Sequence, residues 1–420
     1  MNIALYRDRE PVSGLPEAIA NEISRRELVS GQNIKKVSFC GMISMNSEIS
    51  VFMPRSSDFD SSSEVEKTAL ASALLKAVEL YGRESKTAVN ISDEGDGRQG
   101  VQKLSLIREL LVSYRQTGLY ARRKVISQIN TGKPDWKATV ASGPALPSAT
   151  GSPVYLNVQG SRRRYFSDCE VARIHAYVIR KIDLEYSWIF TGKIGLLAPE
   201  LKDMAVPAGG ITYMRSMLRR ELRSIYSDKD VRLINALTLF LTEESGTEKG
   251  FSVCGLKGFH FAWEHMLSRV LVNKYPINEI LPAPAYKRAD GKYIDAFANA
   301  MKTDIALKRP DGETVAIVDA KYYSALGVGS APGWSDLVKQ FFYEKALRLV
   351  WPAAQIKNAF VFPGKEGPLN SAHLKSRDGA FYFDERFAPI DCYYVDPMLV
   401  VQSYVANEKL DHLSRRLLGG

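Results

Sequence analysis

The stretch Lys302-Thr-Asp304-Ile-Ala-Leu-Lys308, Arg309-Pro-Asp-Gly312 and Glu313-Thr-Val-Ala-Ile-Val-Asp319-Ala-Lys321-Tyr-Tyr323 decides how this chain folds at its most informative point. Two short apolar runs flank Pro-Asp-Gly, which turns a chain because proline presets φ and glycine tolerates positive φ. The runs are expected as neighbouring strands. Side chains alternate along a strand, so Asp319 and Lys321 share a face. Val315-Ala-Ile-Val318 is apolar on both faces, which argues for a central strand and against a surface hairpin whose Asp and Lys merely pair. Charges in such a strand are costly unless something compensates them. Asp304 and Asp319, with the Ala320 carbonyl as a third oxygen, make a donor set for a hard cation such as Mg²⁺ or Mn²⁺. Lys321 is then placed to orient water and offset developing charge in phosphodiester hydrolysis.

The bulk of the chain sets the frame. Its 420 residues suffice for two or three domains, and a 45% hydrophobic, 25% charged composition is that of an ordinary globular protein. The formal charge of +9 is compatible with a polyanionic partner without establishing one. No apolar run approaches the ~18 residues of a membrane span, and the charged opening Met1–Glu10 lacks a signal peptide's apolar stretch, so a cytoplasmic location is expected. Cys40, Cys169, Cys254 and Cys392 are scattered without metal-ligand spacing and read as reduced thiols. No phosphate-loop motif is present, so the chain is not expected to hydrolyse nucleotides itself, and no Ser/His/Asp order stands out.

Periodicity supplies the remaining organisation. Lys36–Ser44 and Ile49–Pro54 alternate as a small β-unit turning at Met45–Glu48. Glu64–Tyr81 and Gln102–Gln116 carry helical spacing, with Ser61–Ser63 as a cap for the first. The polar stretch Lys86–Gly100 breaks the pattern as a loop or linker. Trp136–Val140 and Val154–Val158 are expected as strands around a projecting loop, Ala141–Pro153, too rich in small residues to bury a core. From Asp168 to Glu243 the pattern is helical. Met214–Tyr226 is its clearest piece, pairing an apolar stripe with Arg215, Arg219, Arg220 and Arg223. These arginines, with Arg162–Arg164, read first as a solvated face and second as a binding surface for phosphates or an acidic partner. Glu243–Gly250 marks an expected boundary, giving regions 1–245 and 246–420. The latter, with helices at Phe259–Val272 and Ser335–Leu349 and a strand at Asn358–Phe362, is expected as an α/β sandwich around a mixed sheet.

Three further residues are candidates for the site. Glu264, beside Trp263 on an apolar helix, reads equally as a metal-reaching carboxylate or a solvated one. Gln340 and Tyr343 lie three apart on a helix face and either support the site or simply pack. His260 and His265 stand five apart, which is not a metal-binding helical pair.

Trp263-Glu264, Thr303-Asp304-Ile305, Asp319-Ala-Lys321-Tyr-Tyr323 and Gln340-x-x-Tyr343 together resemble the PD-(D/E)XK nuclease superfamily, and more narrowly the McrC-like nuclease subunits of modification-dependent and LlaJI-type restriction systems. Val37–Ile43 with Ile49–Pro54 is similar to that family's amino-terminal β-unit, and Asn130-Thr-Gly-Lys-Pro-Asp-Trp-Lys-Ala-Thr139 to its Trp-Lys-x-Thr signature. Thr303 stands where proline is usual, and Ala138 where a basic residue is common. The resemblance implies an α/β fold with a carboxy-terminal nuclease domain (246–420) preceded by a β-rich and helical docking region (1–245). It implies metal binding by Asp304 and Asp319, a catalytic Lys321, assistance from Glu264 and support from Gln340 and Tyr343. It further implies double-stranded DNA as substrate and an McrB-like AAA+ GTPase ring as partner, in restriction or phage defence. A non-catalytic adaptor of the same fold and a stand-alone repair nuclease are the alternatives.

Overall fold

The computed structural model describes residues 3–45, 48–87, 98–149, 151–166, 168–193, 196–246, 251–297 and 300–420. The centre of the expected turn at Met45–Glu48, most of the Lys86–Gly100 stretch and the end of the Glu243–Gly250 boundary lie outside them. The chain is mixed α/β and forms two compact units, neither a continuous stretch: Met1–Ser105, Trp188–Gly195 and Glu248–Gly420 in the first, Leu106–Ser187 and Leu196–Thr247 in the second. This differs from a division at residue 245, because the amino-terminal β-unit belongs with the carboxy-terminal segment.

The tie between them is the strand Phe251–Leu256, absent from the sequence reading, which pairs antiparallel with Cys40–Met45 in a five-stranded sheet. Gly41 faces Gly255 across that pair. A Cβ on Gly41 would lie 2.3 Å from the Cys254 carbonyl, and one on Gly255 2.4 Å from that of Cys40, so the two backbones approach as only glycines allow. The helix Glu64–Thr87 packs on this sheet. Its start is a reciprocal cap: the Ser63 amide donates to Glu66 Oε2 at 2.7 Å and the Glu66 amide to Ser63 Oγ at 3.3 Å.

The second sheet of this unit carries the quoted stretch. Its order is Ile305–Lys308, Thr314–Ala320, Gln355–Pro363, Ile390–Val395, Ser371–Ala372. The first pair is antiparallel with Ile305 opposite Val318, and Gly312 takes φ +80° in the turn, as Pro-Asp-Gly leads one to expect. Thr314–Ala320 then pairs in parallel with Gln355–Pro363, so the sheet is mixed and this strand central. The helix Trp334–Val350 connects the two parallel strands and covers one face, where Ala346 and Leu347 meet Val315, Ile317 and Ile356. The helix Phe259–Val270 packs on the same central strand. Burial on both faces explains the unbroken apolar run.

The second unit holds a three-stranded sheet of Arg122–Ile129, Gln159–Phe166 and Lys133–Pro134, with the helices Ile211–Leu222 and Asp228–Gly246. Trp136–Val140 is not a strand but part of a helix, Trp136–Ser142. The Asp135 carboxylate accepts from the Ala138 amide at 3.0 Å and caps it, and Trp136 is 59% exposed, so its alternation did not report burial. Of Val154–Val158 only Val154 is in a strand, pairing with Leu146 across a hairpin whose loop falls within Ala141–Pro153. No helix among the described residues is long and apolar enough to cross a membrane. The four cysteines form no disulfide.

Candidate active site

Asp304 sits at the residue before its strand, held there by Thr303. The Thr303 amide donates to Asn278 Oδ1 at 2.8 Å and its carbonyl accepts from Asn278 Nδ2 at 3.0 Å. A proline at this position would forfeit the first of these bonds. Asp304 Oδ2 accepts from the Ala320 amide at 3.1 Å, which fixes it against the end of the central strand. Asp319 and Lys321 share a face as the alternation required, with Lys321 Nζ 3.0 Å from Asp319 Oδ2.

Lys321 Nζ also lies 2.8 Å from Asp336 Oδ1, in the first turn of the helix Trp334–Val350. Asp336 escaped the sequence reading because nothing in its local pattern distinguishes it from an ordinary first-turn carboxylate. Burial disfavours the Lys321 ammonium, but Asp319 and Asp336 outweigh it and hold the group charged.

Asp304 and Glu264 are instead pushed toward their neutral forms. Burial, Asp319 and Glu264 push the Asp304 carboxyl up to about 8, the Asp319 side chain is within its hydrogen-bonding reach, and the Ala320 amide only partly offsets the shift. Glu264 is half-buried, so it is not on a solvated face. Burial and Asp319 raise its pKa against the pull of Lys321, which puts it within electrostatic reach of both. Tyr343 donates to the Lys302 carbonyl at 2.7 Å, and its phenol is raised by burial and by Asp304 and Asp319. Gln340 is 1% exposed; its backbone carbonyl accepts from Asn358, while its Oε1 is buried with no partner among the described residues. The structure therefore gathers Asp304, Asp319, Ala320, Lys321, Glu264 and Tyr343, with Gln340 on the adjoining buried helix.

Tyr322, next in sequence, points the other way. It is buried against Phe259 and Trp263, its hydroxyl accepts from the Arg55 amide at 2.9 Å, and the Arg55 guanidinium lies 4.6 Å over its ring. The residue after the lysine thus anchors the site strand to the amino-terminal β-unit.

A divalent cation fits this donor set chemically. One lysine serves Asp319 and Asp336, leaving Asp304 and Glu264 without an ion-pair partner among the described residues. No group of three or more His, Cys, Asp or Glu side chains there is arranged to hold a metal. Two carboxylates and a carbonyl nevertheless suffice for Mg²⁺, which keeps several waters and binds protein through one or two carboxylates.

Other polar clusters lie apart from this chemistry. His265 bonds Glu84 at 2.7 Å and packs against Tyr81 and Tyr404, a structural role. Although no Ser/His/Asp order shows in the sequence, Ser371 Oγ lies 2.7 Å from His373 Nε2, and His373 Nδ1 2.9 Å from Asp384 Oδ2. The His373 and Asp384 side chains are 34% and 39% exposed, a hydrogen-bonded chain open to solvent.

A family model described as the LlaJI restriction endonuclease matches residues 39–373. The chain belongs to that family. A curated relative, the type II restriction enzyme BsuMI component YdjA of Bacillus subtilis strain 168, is 25% identical over 363 residues, spanning 82% of this chain and 76% of its own. Among solved structures, McrB AAA+ hexamers with bound McrC from Thermococcus gammatolerans, a half-complex of a tetradecameric assembly, match with TM-score 0.45 and 14% identity over 100% of this chain and 99% of that one. The McrBC complex of the same organism matches with TM-score 0.27 and 10% identity over 63% and 85%. At those scores the structural likenesses carry no conclusion about partners.

Proposed function

We propose that this member of the LlaJI restriction endonuclease family is a Mg²⁺- or Mn²⁺-dependent DNA endonuclease subunit, acting with an McrB-like AAA+ GTPase whose hydrolysis it stimulates. The observation that carries the reading is the convergence of Asp304, Asp319 and Lys321 at the end of one buried strand, with Glu264 in reach. Asp304, Asp319 and the Ala320 carbonyl would hold the cation, which supplies Lewis-acid polarisation of the scissile phosphate when bound. Lys321, kept charged by Asp319 and Asp336, orients water for in-line attack and neutralises charge gathering on the phosphorane-like transition state. Gln340 and Tyr343 brace the helix beside the carboxylates. The partner rests on the sequence resemblance and family membership. The docking role expected within residues 1–245 is best assigned to residues 106–187 and 196–247, because residues 3–105 are built into the unit that carries the site.

The test is cleavage of double-stranded DNA by the chain reconstituted with its GTPase partner, with and without Mg²⁺. Asp319→Ala and Lys321→Ala are expected to abolish cutting while stimulated GTP hydrolysis persists. Cleavage by Lys321→Ala at the wild-type rate overturns the mechanism. GTPase activation in Mg²⁺ with no cutting by the unmutated chain would instead make it an adaptor, and magnesium-dependent cutting without any partner a stand-alone nuclease.

A further inference from the structure

A cleft of about 1000 Å³ opens within the unit formed by residues 106–187 and 196–247. Its floor is built, not incidental. Glu221, 3% exposed, accepts from the Tyr120 hydroxyl at 2.9 Å and from Arg122 Nε at 2.7 Å. Arg122 Nη2 contacts the second Glu221 oxygen, so one buried carboxylate and one guanidinium neutralise each other.

The rim is different. Arg123, Arg220 and Lys229 line the cleft, are exposed, and form no ion pair with any described residue. Asp230 is the only other acid on the lining. Two tyrosines flank these cations: Tyr165, 69% exposed, and Tyr226, 94% exposed at the turn between the two helices. Tyr165 stands directly opposite Arg123 in the antiparallel pair of strands, so ring and guanidinium share a face. Unpaired cations interleaved with exposed aromatic rings along a concavity are the elements of a single-strand nucleic-acid groove, where phosphates meet the charges and bases stack on the rings.

We propose that this cleft takes nucleotides of an unstacked DNA strand, with phosphates on Arg123, Arg220 and Lys229 and bases on Tyr165 and Tyr226. The active-site reading contributes only the choice of DNA as the polymer, and the cleft adds a second DNA contact on the unit that does not carry the carboxylates. An acidic peptide would satisfy the cations, but it lacks the repeated flat faces that successive bases offer to both rings.

The experiment uses the full chain carrying Asp319→Ala, in EDTA so that no cutting occurs, titrated against a short fluorescein-labelled single-stranded oligonucleotide while anisotropy is read at several salt concentrations. Arg220→Glu combined with Lys229→Glu is expected to weaken binding by about tenfold or more and to flatten its salt dependence. Tyr226→Ala, at a fully protruding position that cannot affect folding much, is expected to weaken binding about fivefold or more with the salt dependence unchanged. Unlabelled oligonucleotide should displace the probe, whereas dGMP at equal nucleotide concentration and polyglutamate should not. Unchanged affinity in both cleft variants overturns the site. Displacement by dGMP reassigns it to free nucleotides and overturns the strand, and displacement by polyglutamate overturns nucleic-acid recognition. Cleavage by the cleft variants in the unmutated background, measured in parallel, reports on the active site independently, so either idea can fail without the other.

Discussion

Two carboxylates, the solvent-open Asp304 in one unit and the buried Glu221 in the other, meet opposite fates. Desolvation raises both. Glu221 receives a two-point contact from Arg122 and a hydroxyl from Tyr120, which more than reverse the effect and hold its pKa below the ordinary range. Asp304 instead faces Asp319 and Glu264, and a single backbone amide leaves it pushed up to about 8. The unit with Glu221 has settled its internal charge and turns its surplus cations outward. The unit with Asp304 gathers surplus negative charge at one site open to solvent, a configuration that is unfavourable alone and suited to a cation.

The largest effect expected from breaking this contrast is at Lys321. Lys321→Ala removes the one cation shared by Asp319 and Asp336 and should lower the rate of DNA cleavage by about 10³-fold, read as nicked and linear product over time. On the settled side, Glu221→Ala strips the Tyr120 hydroxyl of its acceptor and frees Arg122 toward solvent. A loss of about 1–3 kcal/mol is expected in urea unfolding of the full chain, with DNA cleavage by properly folded protein retained. Asp336→Asn keeps Lys321 paired to Asp319 but loosens its aim, so cleavage should fall by about tenfold.

The smallest and most diagnostic effect is in pH. Asp304 has a folded pKa raised from 3.8 to about 8, so the folded state binds more protons than the unfolded between those values. Its contribution to stability is fully present below pH 3.8 and is lost as pH rises through 8. Thermal unfolding in EDTA should show this loss, and Asp304→Asn should flatten it. His175 has the opposite sign. Burial lowers it to about 4, its Nδ1 accepts from the Tyr120 amide, and the stability it lends above its ordinary 6.5 is lost as pH falls toward 4. Its removal should leave the alkaline limb untouched.

The local pattern made much of this legible. Alternation and a Pro-Asp-Gly turn were enough to predict the paired strands at 305–308 and 314–320 and the shared face of Asp319 and Lys321. Helical periodicity located the helices carrying Glu264 and Gln340 to within a few residues. It left open which way Glu264 points, because one carboxylate on an apolar helix looks the same whether it meets water or Asp319. It misread Trp136–Val140, where a side-chain cap at Asp135 overrode the alternation.

What the sequence by itself determined were the properties set by neighbours along the chain: the strand pair, its central burial, and the identity of the acids and lysine at its end. Only the tertiary structure decided what depends on distant segments meeting. It brought Asp336 to Lys321, Arg55 to Tyr322, and the strand Phe251–Leu256 to Cys40–Met45, joining the amino-terminal sheet to the site. A residue's charge state, and hence its chemistry, follows from the dielectric and partners around it in space, which periodicity along the chain does not encode.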